Sequence, residues 1–144
     1  MGRSLTILVR GDPVPQPRQR ISARGGIARA YIRASHPVHE YRRQIADACR
    51  RSDWPDGPSP APFFVSAEFV FRRPKSHLRT SGELRASAPA MISRDIDNVL
   101  KAALDGITDS RAIWDDDRQV VELRQIRKSW GREGLTVVTI GELP

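Results

Sequence analysis

The sequence contains one cysteine, Cys49, so no internal disulfide can staple the chain, and no His or Cys stands near it at metal-ligand spacing. It lies on the apolar side of a helical pattern and reads as core packing. No apolar run approaches the ~18 residues of a membrane-spanning helix. Met1-Gly2-Arg3-Ser4 leads directly into a strand-like segment rather than a signal-peptide core, so cytoplasmic residence is expected. Aromatics are few, and Trp54, Trp114 and Trp130 are too scattered along the chain to define a stacking platform; packing in or beside the core is their default. Acidic residues are scarce in the first third: residues 1–51 hold eleven arginines against only Asp12, Glu40 and Asp47, a net charge of +8.

What is present suits one ordinary domain spanning 1–144, long enough to bury roughly two thirds of its unfolded surface. A charged fraction of 28% and a hydrophobic fraction of 39% exclude wholesale disorder and fibrous architectures. The basic balance of the first third reverses between residues 95 and 117. There Asp95, Asp97, Asp105, Asp109, Asp115, Asp116 and Asp117 stand against Lys101 and Arg111, a net −5. A polyanion would be drawn to the first region and repelled by the second unless cations neutralise it, which points to phosphate on one side and metal on the other. An arginine-favouring codon usage would account for the arginine excess but not for the acidic cluster.

Leu5 to Arg10 alternates Leu5, Ile7 and Val9 as a half-buried strand ending at Asp12-Pro13. Pro17 to Ala34 reads as a basic hairpin turning at Gly25-Gly26. Helix signals begin at Ser35, with Pro37 in the first turn, and run to about Ser52 through Val38, Tyr41, Ile45, Ala48 and Cys49. Phe63, Val65, Ala67, Phe69 and Phe71 alternate as a central strand. Arg72 to Ser93 is an aperiodic basic loop of functional length. Ile96, Val99, Leu100, Ala103, Leu104 and Ile107 then mark an amphipathic helix. Gln119 to Lys128 and Leu135 to Ile140 read as two strands joined in a hairpin across Gly131 to Gly134. The order predicts an α+β fold, a mixed β-sheet with helices covering one face.

Chemistry concentrates in two segments. In Arg94-Asp95-Ile96-Asp97-Asn98, Asp95 suits a helix N-cap and Asp97 a favourable helix-dipole position. Structural roles are harder to assign at Trp114-Asp115-Asp116-Asp117-Arg118-Gln119-Val120, where three adjacent carboxylates repel one another unless they bind a hard divalent cation such as Mg²⁺. Asp97, Lys101 and Asp105 form a charged row opposite the apolar stripe. Lys101 admits two readings: a surface ion pair, or an ammonium beside the metal that binds phosphate or stabilises a developing oxyanion.

Arg94-Asp95-Ile96-Asp97-Asn98-Val99-Leu100-Lys101, then Asp105, then Asp116-Asp117-Arg118-Gln119-Val120 resemble the signature of the RusA-type Holliday junction resolvases. That signature runs Asp-x-Asp-Asn-x-x-Lys, an Asp four residues on, and later Asp-Asp-x-Gln-Val. Pro15-Gln16-Pro17-Arg18-Gln19-Arg20 and Phe71-Arg72-Arg73-Pro74-Lys75-Ser76-His77 also look like segments of phage-type members, and the resemblance covers most of residues 5–140. It implies a homodimeric α+β endonuclease, acting in recombination and repair, that binds four-way junctions and makes paired nicks with Mg²⁺ or Mn²⁺. Residue by residue, three essential aspartates and one lysine carry over to Asp95, Asp97, Asp117 and Lys101. Of the triplet, Asp117 keeps the separation from Gln119-Val120, Asp116 ranks next as a metal ligand, and Asp115 is surface charge.

For DNA contacts the exposed ribbon and loop supply Arg18, Arg20, Arg72, Arg73, Lys75 and His77. His36 and His39, at a helix start, read as surface groups. Branched DNA other than recombination junctions stays open as substrate. A non-catalytic basic DNA-binding protein of phage origin is the alternative, against which the acidic cluster argues. A phosphatase using Asp-x-Asp fits less well, because that motif follows an apolar strand into a loop, whereas Ser93-Arg94 precedes this one and a helix begins at once.

Overall fold

The computed structural model describes residues 2–144. In chain order the elements are β1 (Ser4–Arg10), β2 (Arg20–Ser22), β3 (Arg29–Tyr31), α1 (Val38–Arg50), β4 (Phe63–Arg72), α2 (Ile96–Ser110), β5 (Val120–Gly131) and β6 (Leu135–Glu142). Single 3₁₀ turns stand at Arg24–Gly26, Lys75–His77 and Asp117–Gln119. The architecture is α+β with a mixed sheet, as the element order predicts. The main sheet is ordered β1-β6-β4-β5, and β2 and β3 form a separate ribbon.

Period-two alternation decides which face is buried. Phe63, Val65, Ala67, Phe69 and Phe71 of β4 lie inside, with Ile7 and Val9 of β1 and Val138 and Ile140 of β6. Each fully buried side chain of this size contributes about 1.5–3 kcal/mol. On this face α1 supplies Val38, Tyr41, Ile45 and Cys49, and α2 supplies Val99, Ala102, Ala103 and Ile107. The helices cross closely at Gly106, where an added Cβ would meet the Ile45 Cβ at 2.9 Å and the Arg42 carbonyl oxygen at 3.0 Å. Tyr41 ties α1 to the sheet through a buried 2.6 Å bond between its hydroxyl and that of Thr136. Cys49 is buried as expected, and burial pushes its thiol up to about 12. Trp114 is fully buried, while Trp54 and Trp130 pack at the edge of the core.

Three expectations change. First, β5 and β6 do not pair: β4 lies between them, parallel to β5 and antiparallel to β6. Residues 132–134 therefore carry the chain round the end of β4, where Arg72 pairs with Gly131, instead of closing a tight hairpin. Glycines at a short connection fit either path, and the hydrophobic pattern does not say which strand is inserted. Second, α1 begins at Val38 with Pro37 as N-cap, later than Ser35. Third, Ile96 is 37% exposed at the first position of α2, outside the stripe that covers Val99 and Ile107.

The Arg72 to Ser93 segment is less irregular than its composition suggests. Leu78 bridges Leu84, the Arg79 N–H donates to the Glu83 carbonyl at 2.7 Å, and the Arg85 N–H to that of His77 at 2.9 Å, making a small turn. Ile92, 5% exposed, anchors its far end in the core.

Candidate active site

Asp95 occupies the N-cap position of α2 with extended backbone (φ −67°, ψ 132°), but its carboxylate accepts no capping bond. The capping role expected for this side chain is absent. The Asp97 carboxylate takes only a 2.9 Å bond from the neighbouring Asn98 N–H. Both side chains are exposed. Among the described residues, neither they nor Asp117 forms an ion pair with Lys or Arg, whereas Glu40, Asp47, Asp105, Asp109, Glu122 and Glu142 all do.

The second acidic motif is held by its own neighbours. Trp114 packs edge-on against Phe63, ring centroids 5.4 Å apart, and its indole N–H donates to the Thr108 hydroxyl at 2.8 Å. That fixes the chain entering the triplet against α2. Gln119 fixes the triplet itself: its side-chain oxygen accepts the N–H groups of Asp115 (2.9 Å) and Asp116 (3.2 Å). Asp116 caps the following 3₁₀ turn, its Oδ1 accepting the Arg118 N–H at 2.9 Å. Asp115 is exposed, Asp116 and Asp117 are both half-buried, and the capping bond leaves Asp117 as the half-buried carboxylate not committed to the turn.

Electrostatics separate the neighbours. Burial pushes the Asp117 carboxyl above its ordinary range, and the charges of Asp116 and Asp105 push the same way, with Lys101 opposing. Asp116 is lowered, first by its bond from the Arg118 backbone. Lys101 lies 3.7 Å from Asp105. The structure thus brings Asp117, Asp116, Asp105 and Lys101 into one electrostatic neighbourhood between α2 and the 3₁₀ turn before β5. In the sequence Asp105 stands in the charged row and in the signature without a role of its own; its place opposite Asp117 depends on how α2 lies against the 3₁₀ turn, which helical spacing does not encode. Asp95 and Asp97 stand one to two turns up the same helix from Lys101 and are not among the charges that shift Asp117.

Every donor in this set is a carboxylate oxygen, the ligand type hard divalent cations require, and Mg²⁺ binds through one or two carboxylates while keeping several waters. A cation between Asp117 and its neighbours would relieve the repulsion that raises Asp117. Among the described residues no three His, Cys, Asp or Glu side chains converge as a metal cluster. By chemistry these carboxylates suit a hard divalent ion, but in this arrangement they do not converge on one.

The basic ribbon β2–β3 is a two-stranded sheet of its own. Between Asp12 and Glu40 the chain has no acidic residue, and Arg18, Arg20, Arg24, Arg29 and Arg33 are exposed along it. Its turn uses Gly25 and Gly26 at φ +71° and +77°, which side-chain-bearing residues rarely adopt. Its stem is tied to the site: the Gln16 N–H donates to the carbonyl of Asn98, next to Asp97, at 2.9 Å. Arg72 and Lys75 are exposed. Arg73 lies over the Trp130 ring at 5.3 Å, and half-buried His77 meets the same ring edge-on at 5.2 Å, so of the basic group these two also serve packing.

Among curated proteins, none matches the chain. The family model described as endodeoxyribonuclease RusA matches residues 10–141, from the end of β1 through the basic ribbon and both acidic motifs into β6. With nearly its whole length inside that match, the chain belongs to the RusA endodeoxyribonuclease family.

Proposed function

We propose that this protein is a Mg²⁺-dependent, structure-specific endonuclease, with Mn²⁺ as a substitute ion, that resolves Holliday junctions and related branched DNA by paired phosphodiester nicks. Membership of an endodeoxyribonuclease family supports the reading. The observation that carries it is the hydrogen bond from Gln16 to Asn98, which roots an acid-free arginine ribbon at the helical turn bearing the unpaired Asp97. Phosphates gripped by the ribbon are delivered beside carboxylates that would repel them without a cation between.

In this reading Asp95, Asp97 and Asp117 hold the ion, with Asp116 behind them because one of its oxygens is committed to the cap. An ion held by these carboxylates would supply an activated water and charge neutralisation for in-line phosphoryl transfer. Lys101 contributes a cation to the scissile phosphate as charge develops. Arg18, Arg20, Arg72, Arg73, Lys75 and His77 position the DNA through its backbone.

Two equivalent strands must be cut, and one chain carries one such cluster, so the working unit is a homodimer with two-fold symmetry. Val121 and Leu123, 65% and 51% exposed on the open edge of β5, offer apolar surface away from the arginine ribbon. Sedimentation at moderate salt should give roughly twice the 16.2 kDa chain mass.

Cleavage of an end-labelled synthetic four-way junction in Mg²⁺, with a chelator and a linear duplex as controls, tests the proposal. Paired nicks confined to the junction and to metal-containing reactions are expected. Tight junction binding with no cleavage in Mg²⁺ or Mn²⁺ would instead support a non-catalytic DNA-binding protein.

A further inference from the structure

The carboxylates of Asp95 and Asp97 have no side-chain anchor, so whatever fixes their direction must act on the backbone just before them. The last buried residue there is Ile92, and Ser93, Arg94 and Asp95 are exposed. Here the partner is Lys128 of β5. Its ammonium donates to the Ile92 carbonyl at 2.8 Å and to the Arg94 carbonyl at 2.7 Å. The chain bends at Ser93 and Arg94, and one ammonium straddling Ser93 satisfies the two carbonyls that this bend turns toward β5. Hydrogen bonds with an ionised donor are about twice as strong as neutral ones. Among the described residues Lys128 forms no ion pair with a carboxylate, so these carbonyls are its partners.

The consequence is mechanical. β5 follows directly from the turn that carries Asp117, and through Lys128 the same strand grips the chain from which Asp95 and Asp97 project. Both acidic motifs are thereby referred to one strand, although the long Arg72 to Ser93 loop separates Asp95 from the rest of the sheet. We propose that Lys128 is a positioning residue for the metal-binding carboxylates: it holds residues 92–94 so that Asp95 and Asp97 face the ion bound at Asp117. This rests on the reading that these aspartates bind the ion.

Lys128→Met keeps the aliphatic stem and removes the donors. Outer-shell partners of metal ligands typically cost 10- to 100-fold in metal affinity or activity when removed. On a four-way junction, Lys128→Met should raise the Mn²⁺ concentration for half-maximal cleavage by about 10-fold or more, with metal-free junction binding unchanged in a gel shift. Independently of activity, amide hydrogen exchange at residues 93–97 should accelerate while exchange in β4 and β6 stays as in the parent. A chemical rescue separates the ammonium from simple packing. Lys128→Cys should share the defect, and alkylation with 2-bromoethylamine, which forms a C–S bond with loss of bromide and restores an ammonium at nearly the lysine length, should recover most of it. Cys49 is buried and does not compete. Wild-type metal dependence in Lys128→Met, or accelerated exchange with no change in metal dependence, would overturn the proposal, as would alkylation without recovery. If instead Asp95→Asn and Asp97→Asn both cut normally, the metal-site reading itself fails, whatever Lys128 does.

Discussion

The side-chain amide of Gln119 donates to the carbonyl of Ser59 at 2.8 Å, joining residues 60 apart in the chain. The same amide reaches the Ala61 carbonyl at 2.9 Å, and its oxygen takes the N–H groups of Asp115 and Asp116. One side chain thus fastens the acidic triplet to the loop before β4. Gln119→Leu keeps the volume but strands two carbonyls and two N–H groups. At about 1 kcal/mol net per bond, stability should fall by about 2–4 kcal/mol. Urea denaturation at pH 7 measures it, and a loss below about 0.5 kcal/mol would show that these bonds contribute little.

Much of this arrangement is legible in the sequence. Alternation in Leu5 to Arg10 and Phe63 to Phe71 gives β1 and β4, and spacings of three and four give α2, because each has one buried face. The insertion of β4 between β5 and β6 is not legible, since strand order depends on long-range pairing that no local pattern records. Within the site, the acidic motifs and Lys101 stand out by residue type. The carboxamide of Gln119, the ammonium of Lys128 and the approach of Asp105 to Asp117 involve contacts between distant segments, so residue type alone does not disclose their parts.

A pH effect on stability should arise far from the site, at Arg3 and Glu142. Hydrogen bonds from Arg3, then one from Ser59, hold the Glu142 carboxyl down to about 2 against an ordinary 4.5. Because the folded value is depressed, the pair's contribution is fully present above 4.5 and is lost as pH falls toward about 2. The Arg3 side chain is 37% exposed, so solvent screening limits the contribution to a small amount. Glu142→Gln should be less stable than wild type by that amount at pH 7, with the difference closing across the same acidic window in pH-dependent denaturation.

Lys101→Ala distinguishes a catalytic ammonium from a surface ion pair. The Lys101 side chain is 58% exposed and its 3.7 Å pair with Asp105 lies along one helix, a type worth about 0.3–0.5 kcal/mol. Stability should therefore barely change. Single-turnover cleavage should fall by two orders of magnitude or more, about the size of losing one electrostatic transition-state contact, while junction affinity changes little. An active variant would leave Lys101 as surface charge.

Arg18→Ala combined with Arg20→Ala tests the ribbon. Each phosphate contact removed should flatten the plot of log affinity against log salt by about 0.9, and binding should weaken equally for junctions of different sequence. Fluorescence anisotropy across a salt series reads both effects, and an unchanged slope would place the DNA elsewhere on the molecule.

The most direct measurement is single-turnover cleavage of a labelled four-way junction by wild type and Asp97→Asn in Mg²⁺, with gel shifts on the same samples. Asp97 is exposed, unpaired and bonded only to its neighbour's N–H, so its amide analogue should fold and bind the junction as well as wild type or better, having lost one negative charge beside phosphate. Cleavage should vanish. Near-normal cleavage by Asp97→Asn would contradict the assignment of the metal-dependent nuclease site to the start of α2.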